Sequence, residues 1–222
     1  MSNPHEAVED VARVASVTTL HPTALDLDAI TAKRWAEPED FSPAEFSRAQ
    51  EFYASMRVHD ERLHRVRAHA GDLIRQWTGF EPRDVGSFGI GLNLETSDLD
   101  LGIGYPVERR AELMEAMSEH ARFLGERNTS STTTRLVFAF ELEDVEVDLS
   151  ALAPEDFTVA NRMLDQIADT MTQPERIAHT WVKHLLRSSG RLEDYAAWKL
   201  VTYGRFCPEF NWVPIPEKAG DH

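Results

Sequence analysis

With 222 residues the chain is long enough for one substantial domain or two small lobes around a real core. Its 23 Lys and Arg stand against 38 Asp and Glu, a formal net charge of −15, which disfavours non-specific nucleic-acid binding because affinity for a phosphate backbone comes from basic groups. Cys207 is the single cysteine, which excludes an intrachain disulfide and a cysteine-based metal site; the acidic start (Glu6, Glu9, Asp10) is unlike a secretory signal, no apolar run reaches membrane-spanning length, and the expected setting is a reducing cytoplasm with no membrane partner.

Residues 1–41 mix prolines, acids and small residues and read as an acidic, largely irregular N-terminal arm, with a short helix over 7–14. Residues 42–79 open on an N-cap, a first-turn proline and a capping-box acid (Ser42, Pro43, Glu45) and continue as one long helix to Trp77, with a break expected near His59 or Gly71. Its apolar stripe includes Phe46, Phe52, Met56, Leu63, Val66 and Ile74, while its Arg and His residues form a solvated face. Residues 80–152 change period and form an αβ lobe: a short strand over 83–85, a Gly-Ser turn, a strand over 98–104, a helix over 107–126, and a hairpin of 134–142 and 145–149 turning at Glu143-Asp144. Residues 153–207 are helical again, in segments 154–170, 174–188 and 192–206, and 208–222 are an irregular tail.

Chemistry concentrates between Asp84 and Pro106. Asp98, Leu99, Asp100 and Leu101 alternate, so on a strand both carboxylates share one face and both leucines enter the core. Paired carboxylates at that spacing suit divalent ions, and Gly86-Ser87 lets backbone N–H groups approach phosphate oxygens; for the Asp-x-Asp alone a hairpin with a solvated acidic edge is the commoner arrangement. A metal site needs a third carboxylate. Asp148, mid-strand in Val147-Asp148-Leu149, is the best placed; Glu146, on the same face two residues earlier, is the alternative that would assist or replace it. Lys183 and Arg187, one helical turn apart, can present two cations to one phosphate tail.

These residues resemble the DNA polymerase beta-like nucleotidyltransferase superfamily, most closely its terminal uridylyltransferase and poly(A) polymerase-related branch. Gly86-Ser87-Phe88, Gly91-Leu92, Leu94 and Thr96-Ser97-Asp98-Leu99-Asp100-Leu101 follow that branch's Gly-Ser turn and Asp-x-Asp strand without a gap. Val147-Asp148-Leu149-Ser150 is similar to its third-aspartate strand. Ala160-Asn161 to Leu164 is similar to a nucleotide-contacting helix, Trp181-Val182-Lys183 with Arg187 to a phosphate-binding helix that usually carries Lys at both positions, and Thr202-Tyr203-Gly204 to a Ser-Tyr-Gly segment.

The resemblance covers roughly residues 43–206. It implies an α+β fold: a polymerase beta-like lobe with a small mixed sheet, packed against a helical lobe made from the N-terminal long helix and the C-terminal helices. It further implies transfer of an NMP from an NTP, ATP among the candidates, to an acceptor hydroxyl with release of pyrophosphate. Asp98, Asp100 and Asp148 are then catalytic and hold two Mg²⁺ or Mn²⁺ ions, Asp148 also accepting the acceptor's proton. Gly86, Ser87, Asn161, Lys183, Arg187, Thr202 and Tyr203 bind the nucleotide, with Tyr203 stacking on its base. Sixteen residues follow Phe206 where the family adds further helices, which leaves base preference open. That, the acidic charge and the absence of an RNA-binding module favour a small molecule or another restricted acceptor over a long RNA. RNA 3′-terminal transfer and a non-catalytic nucleotide-binding module are the alternatives; acceptor identity and oligomeric state are left open.

Overall fold

In the computed structural model, which describes residues 25–33, 35–128 and 134–206, the two periodicities resolve into helices and one mixed sheet. In chain order they are α1 (Leu27–Lys33), α2 (Pro43–Arg57), α3 (Asp60–Thr78), β1 (Arg83–Asp84), β2 (Leu99–Gly104), α4 (Arg110–Ser118), β3 (Arg122–Asn128), β4 (Thr134–Leu142), β5 (Val145–Leu152), α5 (Pro154–Thr170), α6 (Gln173–Ser188) and α7 (Leu192–Phe206). The strands lie in the order β1-β2-β5-β4-β3; β2 and β5 are parallel and the other pairs antiparallel. The α+β fold expected from the sequence is the fold observed.

Alternation gives the sheet two unlike faces. Leu99, Leu101 and Ile103 of β2, Val147, Leu149 and Ala151 of β5, and Leu136 and Phe138 of β4 point to one side. There they meet Val66, Ala70 and Ile74 of α3 and Leu113 and Met117 of α4. Full burial of one large aliphatic side chain in such a layer is worth about 1.5–3 kcal/mol. The other face carries Asp100 and Asp148, and α5 lies across its end. A Cβ on Gly104 would come within 2.8 Å of the Phe157 ring, so a residue without a side chain is what lets α5 sit this close.

A second core is helical. Ala49 of α2 packs with Ile177, Ala178, Val182 and Leu186 of α6, Trp198 of α7 and Ile30 of α1. Ser42 caps α2, its side chain accepting from the Glu45 N–H at 3.2 Å, but the Glu45 carboxylate turns inward instead of back to the cap. It pairs with Arg48 and accepts from Trp181 Nε1 at 2.7 Å, which satisfies a carboxylate that is 1% exposed.

Two segments differ from what the sequence leads one to expect, and the long helix divides at Val58-His59, one of the two places where a break is expected. Its first half joins α6 and its second half lies under the sheet, and one straight helix cannot serve both surfaces. The helix expected to run to residue 126 ends at Ser118, and Arg122–Asn128 forms edge strand β3. Leu124 fits a helical stripe by spacing, yet the Phe123 ring packs 5.3 Å from Phe138 across the strand pair, because the free edge of β4 supplies backbone partners. Gly125, at φ 110°, takes up the register shift there. The end of the arm is also ordered: Asp26 Oδ1 accepts from the Ala29 N–H at 2.9 Å to start α1, and Leu25, Ile30 and Ala36 are buried in the helical core. The helix expected over 7–14 and the tail 208–222 lie outside the described residues.

Candidate active site

The parallel pairing of β2 with β5 sets Asp100 directly opposite Asp148. Asp98, just before β2, is exposed. Burial pushes the Asp148 carboxyl up to about 6, with the charges of Asp100 and Asp98 adding to it; Asp148 Oδ1 is buried without a hydrogen-bond partner. Asp100 is likewise raised, by burial first and by Asp98, against the pull of Lys199, Lys183 and Arg135. Among the described residues no three acidic, His or Cys side chains converge tightly enough to hold a metal as they stand, as expected for carboxylates that repel one another. Asp148 is the register partner of Asp100, while Glu146, two residues earlier on the same face, is exposed and faces Arg122 at 3.7 Å.

The Gly-Ser turn rests on this pair. The Val85 N–H donates to the Asp100 carbonyl at 3.0 Å, and a Cβ at Gly86 would stand 2.0 Å from Asp100 Oδ2. Residue 86 therefore has to be glycine if the Asp100 carboxylate is to hold its place. In Gly86→Ala the new methyl displaces that carboxylate, with an expected loss of about 10²-fold or more in turnover, the scale of an ångström-sized misplacement. A pyrophosphate-release assay beside a melting curve separates this from unfolding.

Lys183, 2% exposed, reaches from α6 into the same turn. Its Nζ donates to Leu92 O at 2.9 Å, Ser87 Oγ at 3.1 Å and Ser97 Oγ at 3.3 Å. Burial, then Lys199 and Arg187, pull its ammonium down to about 7. Arg187, one turn further along α6, is half-buried. Asn161 is buried, its Nδ2 donating to Phe157 O at 2.8 Å while its Oδ1 has no partner; Thr202, fully buried, has an unpartnered hydroxyl too. Tyr203 is 8% exposed and packs with Ile90, Leu92, Met163, Leu164, Ile167 and Met171, its ring 6.2 Å from that of His179. To offer a face to a base, Tyr203 has to uncover part of that ring.

Three cations join the site that the sequence reading did not single out. Lys199 places Nζ 5.6 Å over the Tyr203 ring, and its charge acts on Asp100. The four-residue spacing from Tyr203 was the signal available for it. Arg127 and Arg135 are register partners across β3 and β4. With Ala139 opposite Asp148, the alternation of β4 puts Arg135 on the face of the aspartates. The hairpin turn alone implies that parity; Arg127 needed β3 to be recognised as a strand.

No family model and no curated protein matches this chain. Among solved structures it is similar to a cytoplasmic RNA terminal U-transferase at 14% identity, covering 64% of this chain and 46% of that one with a TM-score of 0.46. It is also similar to Cid1 in complex with its short product ApU, at 13% identity, 66% and 48% coverage and a TM-score of 0.48. The polymerase core of TRAMP, an RNA surveillance complex, gives 16% identity, 69% and 52% coverage and a TM-score of 0.45. The chain thus spans about half the length of these proteins.

Proposed function

We propose that this protein is a metal-dependent nucleotidyltransferase that moves an NMP from an NTP to an acceptor hydroxyl and releases pyrophosphate. The observation that carries it is the register setting Asp148 beside Asp100, with the Gly-Ser turn clamped against the same point by Lys183. The donor set fits hard divalent cations: every candidate ligand is a carboxylate oxygen, and Asp148 Oδ1 is buried without a partner. Asp98, Asp100 and Asp148 would hold Mg²⁺ or Mn²⁺. When bound, such ions offset charge on the phosphoryl oxygens and the leaving group.

The chain's own residues then have separate tasks. Ser87 and the backbone N–H groups around it orient the triphosphate, and Lys183, Arg187 and Lys199 offset its charge. Asn161, Thr202 and Tyr203 hold the nucleoside. The acceptor oxygen bonds to the α-phosphorus, the bond from that phosphorus to the bridging oxygen breaks, and pyrophosphate leaves with the electron pair. The acceptor's proton passes to Asp148 and then to water. A small or otherwise restricted acceptor is favoured by the net charge of −15.

The test is incubation with each of the four NTPs and Mg²⁺ or Mn²⁺, with a metabolite extract and, separately, an RNA primer as acceptor pools, read by mass spectrometry. A product one NMP heavier than a small acceptor supports the proposal. Ladder products on the primer transfer it to RNA tailing. NTP-induced thermal stabilisation without pyrophosphate release would mark a binding module and overturn it.

Proton linkage supplies a second check. Burial brings the Lys183 amine down to about 7, so at pH 8.5 it is largely neutral in the free protein, and a triphosphate beside it favours the charged form. NTP binding at pH 8.5 is therefore expected to take up a proton, and affinity to fall as pH rises from 7 to 9. Calorimetry in two buffers of different ionisation enthalpy reads the uptake, and its absence would remove Lys183 from the triphosphate site.

A further inference from the structure

We propose that Arg127 and Arg135 form an anion seat for the acceptor, so that the molecule receiving the nucleotidyl group carries a phosphate close to its reactive hydroxyl. This rests on the nucleotidyl-transfer reading above and adds the acceptor's chemistry to it.

Position comes first. The two arginines oppose each other across β3 and β4, on the sheet face that carries Asp148 and Asp100. From Ala139, the residue opposite Asp148, to Arg135 is four residues, roughly 13 Å of strand at about 3.3 Å each. An arginine side chain spans about half of that. The remainder is comparable to the separation between a ribose hydroxyl and the phosphate on the same sugar.

Charge comes second. Like charges directly opposite on neighbouring strands are destabilising, and among the described residues no carboxylate comes within ion-pair distance of either arginine, Asp100 and Asp148 acting on Arg135 only from farther off. Several other arginines are paired, as in Arg67 with Asp84, Arg83 with Asp165 and Arg122 with Glu146. Arg135 is half-buried and its Nε has no partner. Two guanidinium groups side by side, short of acceptors, match the several oxygens of a phosphate.

The rest of the face gives direction. At the turn end of the hairpin Glu141 opposes Glu146, next to Asp144; Arg122 faces Glu146 there, and the three carboxylates against one guanidinium leave that end net acidic. The face therefore runs from acidic at the turn, through Asp148, to basic at Arg127 and Arg135. An acceptor with its hydroxyl at Asp148 is oriented with its phosphate toward the arginines. A free phosphomonoester and the end of an oligonucleotide both offer this chemistry.

The experiment compares adenosine, AMP and triadenylate as probe acceptors for the wild-type chain and for Arg127→Gln/Arg135→Gln, with pyrophosphate release and product mass as readouts. The wild type is expected to favour a phosphate-bearing probe over adenosine by at least about tenfold in kcat/KM, the worth of one charge-assisted hydrogen bond. The double variant should lose that preference, read as the ratio of kcat/KM for the phosphate-bearing probe to that for adenosine. AMP as the preferred probe identifies a free phosphomonoester, and triadenylate a strand end. Because Arg127 is exposed, the single variant Arg127→Gln serves if the double variant melts early, with a partial loss of preference expected. Equal use of all three probes by the wild type, or an undiminished preference in a folded variant, overturns the anion seat alone. No pyrophosphate from any NTP with any probe overturns the nucleotidyl-transfer reading, and this inference with it.

Discussion

Asp100→Asn is expected to slow pyrophosphate release by at least about 10²- to 10³-fold while leaving the melting temperature unchanged or slightly higher. The two halves of that result have different causes. Asparagine keeps the shape that fits against Gly86 and the backbone bond from Val85 to the residue 100 carbonyl, so the turn and strand stay as they are. The Asp100 carboxyl is raised above its ordinary value by burial and by Asp98, which means that at neutral pH its charged form costs folding free energy. An amide removes that cost and also removes the attraction to Lys199 and Lys183, so the net change in stability is small. Catalysis has no such compensation: the negative charge opposite Asp148 is gone. A purified variant with wild-type turnover would end the proposed mechanism.

Lys183→Met is expected to raise the Kd for NTP by about 10²-fold, from the loss of charge-assisted hydrogen bonds worth roughly 1.5–3 kcal/mol each. Methionine fills nearly the same volume, so the packing of Val182 and Leu186 in the helical core is retained. Ser87, Leu92 and Ser97 lose their common donor, and the turn is no longer tied to α6. Removing a desolvated ammonium offsets part of the structural cost, so binding falls further than stability. Calorimetric titration with a non-hydrolysable NTP and a melting curve measure the two separately, and unchanged affinity would place the triphosphate elsewhere. The same variant should abolish the proton uptake expected at pH 8.5.

Much of the architecture was legible because it is written in short-range patterns. The alternation of 134–142 and 145–149 yields strands β4 and β5, and their two-residue turn holds Glu143 and Asp144 at positive φ, as a tight hairpin requires. Proline near the start of α5 and α6, with a capping box of Thr172 and Glu175 on α6, marks those helices within a residue. The segment 107–126 departs from its helical pattern for the opposite reason. Leu113, Met117 and Leu124 keep a helical spacing, and nothing local records that an unfilled strand edge waits at β4.

For the candidate site, the amino-acid order by itself determined which residue types are available and which face each takes: the aspartates opposite the core leucines, the glycine that admits Asp100, the lysine and arginine on one side of α6. Only the tertiary structure decided that Asp148 stands level with Asp100 and that Lys183 closes on Ser87. It also decided that Lys199, Arg127 and Arg135 face the same ground and that the Tyr203 ring is covered. The physical reason is range. Periodicity reports the environment of each side chain along its own element, whereas the level of one strand against another, and the reach of a lysine across 96 residues of sequence, are set by which surfaces the folded chain buries together.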